Sequence, residues 1–83
     1  AMATLRQVSV QPLPRGDRVV LEFDREVRFS SERITGPDRV FFDLPRTDTP
    51  APVQAAGERL AGTRVTTLRF GRQPDQTTRV VLE

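Results

Sequence analysis

One five-residue pattern, repeated three times, constrains the fold of this chain more than any other feature. Arginine is followed by valine, two further apolar residues and an acid at 18–22, 39–43 and 79–83. Turn-forming Gly, Pro or Asp residues lie shortly before each copy, and such bounded apolar runs are typical of β-strands. Because successive side chains of a strand point to opposite faces, alternate residues of each copy are expected to face the core. This inward set comprises Val19, Leu21, Phe23, Val40, Phe42 and Leu44.

The two ends of the chain also resemble each other on a larger scale. Residues 5–22 and 65–83 each read as a strand, a proline-containing turn and one copy of the pattern. Two similar hairpins indicate a pseudo-symmetric domain. The sequence therefore predicts an all-β fold, a small β-sandwich of two packed antiparallel sheets.

The middle of the chain connects the two hairpins. A strand within 26–35 is expected to pair with 39–44 through a turn at 35–38, where Gly and Pro occur. The proline-rich stretch 45–62 reads as a connection, with one short helical turn in the interval 50–60. Gly57 interrupts the helical spacing of its apolar residues.

Composition excludes most catalytic chemistry. The chain contains no His, Cys, Lys, Tyr or Trp, so zinc fingers, haem sites, disulfides and His- or Cys-based active sites lack their residues. Its Ser hydroxyls have no His or Lys to activate them, and its acids alternate with arginine without a distinctive pair. We therefore predict a domain that is not an enzyme and that holds no cofactor and no metal.

Charge and hydropathy restrict the partners. The 13 basic residues, all Arg, are interspersed with 11 acids, which is typical of a solvated surface rather than of a basic patch. Binding of single-stranded nucleic acid on a small β domain needs stacking aromatics in a basic groove, and the scarcity of aromatic residues counts against it. No apolar run exceeds three residues, which predicts no membrane span.

The two ends of the sequence suggest a domain taken from a longer protein. Residues 1–3 read as a cloning remnant, and Glu83 closes the chain within a strand-like run. We therefore expect one β domain over 4–83, excised from a longer exported protein.

Three segments, taken together in their order and spacing, resemble the AMIN domain over residues 5–83. They are the strand at 18–22, the stretch PDRVFFDL at 37–44, and LRFGRQ at 68–73 leading into TRVVLE. AMIN domains occur in exported bacterial proteins, notably cell-wall amidases and type IV pilus secretins. The resemblance implies two four-stranded sheets and a periplasmic module that binds peptidoglycan and targets its parent. A zinc-dependent N-acetylmuramoyl-L-alanine amidase is one such parent, with its catalytic domain outside these residues.

Arginine is the residue type best suited to such a ligand. Without Trp or Tyr the chain lacks the usual platform for sugars, whereas the planar guanidinium binds carboxylates, such as those of stem peptides, through two hydrogen bonds. Neighbouring acids would accept hydrogen bonds from amide or hydroxyl groups. The predicted ligand-binding residues are Arg18, Glu22, Arg39, Asp43, Arg79 and Arg69.

Alternatives remain open at this point. The alternative for Arg18, Arg39 and Arg79 is a set of cross-strand ion pairs that only keep the surface soluble. Phe41 is expected on an outer face, either available to a ligand or covered by the other sheet or a loop. The alternative function is a protein-interaction module that docks its parent to an envelope or division complex, for example by strand addition at a sheet edge.

Overall fold

Strands dominate the computed structural model, which describes residues 2–36 and 38–83. Ala1 and the Pro37 of the predicted turn lie outside the described residues. The elements follow the order β1 (Ala3–Leu13), β2 (Gly16–Phe23), β3 (Ser30–Ile34), β4 (Arg39–Leu44), β5 (Thr47–Asp48), α1 (Ala51–Glu58), β6 (Leu68–Gln73) and β7 (Thr77–Leu82).

The strands form two packed sheets, which confirms the predicted all-β sandwich. Within the described residues, the first sheet has the order β2-β1-β5 and the second the order β3-β4-β7-β6. The hairpins β1–β2 and β6–β7 and the pairing of β3 with β4 agree with the sequence analysis.

Two details of the first sheet differ from expectation. β5 pairs with β1 in parallel, through Ala3 with Thr47 and Thr4 with Asp48, so this sheet is not wholly antiparallel. It also has three strands among the described residues rather than four. β5 is only two residues long because the chain leaves the sheet at Thr49 and enters α1 after Pro50.

The core lies between the sheets and under the helix. Leu44, Leu68 and Val80 form its buried centre, and Leu5 is also fully buried. α1 closes one side by packing on β1 and β6. The Gly57 that interrupts the apolar spacing is needed for that contact: a Cβ there would lie 2.8 Å from Cε1 of Phe70. The short helix expected within 50–60 is confirmed.

Asp17, at the start of β2, fastens the loop that leads into β6. One carboxylate oxygen accepts the backbone N–H groups of Arg64 and Val65, both at 2.7 Å, and the other accepts that of Thr63 at 3.0 Å. Gly62 makes room, because a Cβ there would lie 2.5 Å from the carboxylate. The hydrogen bond from Val65 is the largest of the influences that lower the pKa of Asp17 below its ordinary value near 3.8.

We predict that acid or the substitution Asp17→Asn releases this loop. A lowered pKa means that the carboxylate stabilises the native loop fully above about pH 3.8, and that this contribution is lost as the pH falls through the lower native value. Amide hydrogen exchange at 63–65, corrected for intrinsic rates, should therefore accelerate in the variant at pH 7. It should accelerate in the wild type only below pH 3.8. Asp75→Asn serves as the control, and equal protection in both variants would contradict the tether.

Candidate functional site

Four of the six predicted site residues meet on the outer face of the second sheet. We call this surface the arginine face. Pairing of β4 with β7 sets Asp43 opposite Arg79 and Phe41 opposite Val81, and pairing of β7 with β6 sets Val81 opposite Arg69. Opposite residues in an antiparallel sheet share a face. The arginine face comprises Arg39, Phe41, Asp43, Arg69, Arg79 and Val81.

A bidentate ion pair lies at the centre of the arginine face. Nε of Arg79 donates to Oδ1 of Asp43 at 2.8 Å, and Nη2 donates to Oδ2 at 3.0 Å. The two side chains are only 35% and 28% exposed, so their geometry is well constrained. Hydrogen bonds from Arg79 hold the pKa of Asp43 below its ordinary value near 3.8, and the same contact raises the pKa of Arg79. The pair is therefore ionised throughout the neutral range.

The Arg79 guanidinium also covers an aromatic ring. Its Cζ lies 4.3 Å from the centroid of the Phe41 ring, which is the geometry of a cation–π contact. Phe41 thus points outward, as its position in β4 predicted, but it is half-buried. Arg79 itself covers the ring, so the partial burial of Phe41 requires neither the other sheet nor a loop. The ring is not an open stacking platform.

The fixed pair retains capacity for hydrogen bonding. Asp43 takes two of the five N–H donors that a guanidinium has, which leaves three N–H groups held in one plane. Each Asp43 oxygen likewise keeps a lone pair. A rigid array of donors beside acceptors matches the N–H and C=O groups of amides, which peptides and N-acetyl groups carry.

The other two arginines of this face, Arg39 and Arg69, are not held by close ion pairs within the described residues. Arg69 is 64% exposed, and its Nη2 reaches Oε1 of Glu83 only at 3.8 Å. Arg39 makes no ion pair with any described residue, and it lies one outward position beyond Phe41 on β4. Exposed pairs as loose as that of Arg69 contribute little to stability. Both guanidinium groups can therefore exchange water for an external carboxylate at small cost.

Arg18 and Glu22 do not belong to this face, so the predicted set is not one site. Both are exposed on β2, in the first sheet, opposite Gln11 and Gln7 of β1. Neither forms an ion pair within the described part of the chain. β2, with the first copy of the pattern, pairs with β1, which carries no copy. The second and third copies lie on β4 and β7, which are neighbours in the second sheet.

Sequence reasoning missed a second basic surface. Arg25, Arg28 and Arg46 surround a hollow of about 220 Å³, together with Glu26 and Pro45. The segment after β2 and the turn before β5 come together only through the crossing between the sheets. No spacing in the sequence indicates that these segments meet. In the structure, the positive φ of Arg46, 50°, marks the tight turn before β5.

The described residues hold no group of three acids that could bind a metal ion. They also include no helix whose length and apolar character would suit a membrane crossing.

Comparison with known proteins identifies one family. The model of the AMIN domain family matches residues 7–83, which is almost the whole chain. No curated protein sequence matches it.

Proposed function

Because this chain belongs to the AMIN domain family, we propose that it binds peptidoglycan and thereby localises a parent protein in the bacterial cell envelope. AMIN domains are non-catalytic targeting domains of exported envelope proteins. In this proposal the module acts in the periplasm, and the parent is an N-acetylmuramoyl-L-alanine amidase or a secretin. Any hydrolytic chemistry then belongs to another domain of that parent.

The observation that carries the proposal is that the arginine face combines two weakly paired arginines with one fixed Arg79–Asp43 pair. Arg39 pairs with no acid among the described residues, and Arg69 pairs only loosely with Glu83, at 3.8 Å, so both cations suit the carboxylates of stem peptides. Arg79 and Asp43 are locked together and offer donors and acceptors for amide groups. Peptidoglycan presents carboxylates and amides repeatedly along one polymer, so several weak contacts add up through multivalency.

Co-sedimentation with purified peptidoglycan sacculi tests this function. We expect the wild-type chain to pellet with sacculi at low salt and to be released progressively as salt screens the exposed guanidinium–carboxylate contacts. Sacculi whose stem-peptide carboxylates have been converted to amides provide the matched control ligand. The affinity of the chain for them should be about 30-fold lower, because two charge pairs of about 1 kcal/mol each are lost.

The outcomes separate function from mechanism. If the chain fails to pellet with native sacculi even at low salt, the wall-binding proposal is wrong. Equal binding to native and amidated sacculi would keep the wall as the ligand but refute carboxylate recognition.

A further inference from the structure

An apolar cleft remains between the two sheets on the side away from α1. It measures about 260 Å³ and is lined on the first sheet by Val19, Leu21 and Phe23, which are only half-buried. Phe42 and Leu44 of β4 and two residues of β7 line the opposite wall. Phe29 also lines it while 65% exposed, with its ring 6.3 Å from that of Phe42.

One edge of β2, with which no described strand pairs, lies beside this cleft. α1 contacts both β1 and β6, so β1 lies on the β6 side of β2. The unpaired edge of β2 therefore faces the β3 side of the sandwich. The inward-facing residues of β3 are exposed there: Arg33, which shares a face with Val40, has a side chain 70% exposed. Among the described residues, no strand of the first sheet extends over β3.

The two edges on this side differ in their readiness to accept a strand. An inward-pointing charge, such as Arg33 on β3, is a common device that discourages edge pairing. The one inward charge of β2 is Asp17 at its start, and the N–H groups of Thr63, Arg64 and Val65 hold that carboxylate. The rest of the inward row, Val19, Leu21 and Phe23, is apolar, and Val20 on the outward row is itself exposed. Among the described edges on this side, β2 is the one that suits an added strand.

The molecule contains a template for the pairing. β4 and β7 carry the second and third copies of the five-residue pattern and pair antiparallel about their middle residues, Phe41 and Val81. This register sets the first residue of one copy, Arg79, against the fifth of the other, Asp43, in the bidentate pair. β2 carries the remaining copy, and its Arg18 and Glu22 face only glutamines on β1.

We propose that the β2 edge accepts an extended segment of a partner protein as a fourth strand of the first sheet. The segment runs antiparallel to β2 and carries the same pattern, an arginine and an acid four residues apart with apolar residues between them. Its arginine then lies opposite Glu22 and its acid opposite Arg18. Its alternate apolar side chains enter the cleft and cover Phe29. This site lies on the other sheet from the arginine face and stands independently of wall binding.

A short peptide provides the probe. The segment 16–23, GDRVVLEF, acetylated and amidated at its ends, carries the required pattern and pairs with β2 about Val20. In a titration followed by amide NMR, we expect shift changes at β2 and Phe29. A peptide with its Arg and Glu exchanged places like charges opposite both Arg18 and Glu22, and should bind at least about tenfold more weakly. The protein variant R18E/E22R should reverse this preference.

Each other outcome overturns the inference. Equal binding of the two peptides, absence of binding at millimolar concentration, or shift changes confined to β4, β6 and β7 would refute a charge-matched strand site at β2. Sedimentation of the chain alone decides between a partner protein and a second copy. Concentration-dependent self-association that R18E abolishes, and that mixing R18E with E22R restores, would assign the edge to a second copy instead.

Discussion

Replacing Leu68 by Ala is expected to lower the free energy of unfolding by about 2–5 kcal/mol. Leu68 is 1% exposed and belongs to the buried centre with Leu44 and Val80. It also lies beneath α1, since its Cδ2 would be 3.5 Å from a Cβ at Gly57. The substitution therefore leaves a cavity where the second sheet and the helix meet.

The expected loss is large because the domain is small. A chain of 83 residues has a total stability of about 4–12 kcal/mol by the usual range per residue. Chemical denaturation monitored by far-UV circular dichroism measures the difference. Leu13→Ala is the matched control, because Leu13 is 37% exposed and should cost less than about 0.5 kcal/mol. Equal losses at the two positions would contradict the assigned core.

Removing the guanidinium groups of Arg39 and Arg69 together is expected to weaken sacculi binding about 30-fold or more. Each group contributes about 1 kcal/mol of exposed charge pairing, and a polymeric ligand multiplies the effect through multivalency. Both side chains can be truncated without leaving a buried charge, because Arg69 is exposed and the core lies on the other side of the sheet. The variant should therefore keep its fold and its thermal midpoint.

The control must remove the same charge from elsewhere. Arg6 and Arg15 are exposed and lie outside the arginine face, and R6A/R15A lowers the net charge by the same amount. Co-sedimentation of both folded variants at one salt concentration gives the comparison. If the control loses as much binding as R39A/R69A, the attraction depends on net charge alone, and the arginine face is not the site.

The sequence was sufficient for the strands because their signal is local. The alternation in β2 correctly assigned Val19, Leu21 and Phe23 to one face and Arg18 to the other, and both terminal hairpins formed as their turns predicted. In the sequence Gly57 interrupts the helical spacing of apolar residues, but in the structure its lack of a side chain lets α1 approach Phe70 of the distant strand β6. Such a requirement has no periodicity and is visible only when the elements pack.

The composition of the site depended on which strands became neighbours, and that information is not local. The partner of each pattern copy is decided where the chain crosses between sheets after Phe23, a stretch with no repeat. Arg79 and Asp43 occupy the first and fifth positions of two copies, so their pairing follows once β4 and β7 are adjacent. The separation of Arg18 from Arg79 has the same cause.

The central claim, that Arg39 and Arg69 bind the carboxylates of stem peptides, is tested most directly by NMR titration with soluble muropeptides. The spectrum should include both backbone amides and arginine Nε–Hε groups. We predict that the Nε–Hε signals of Arg39 and Arg69 and the amides of β4, β6 and β7 shift, and that muropeptides with amidated carboxylates shift them much less. Shifts at Arg25, Arg28 and Arg46, with no shifts on the arginine face, would contradict this claim. They would place the binding site at the hollow that these three arginines surround.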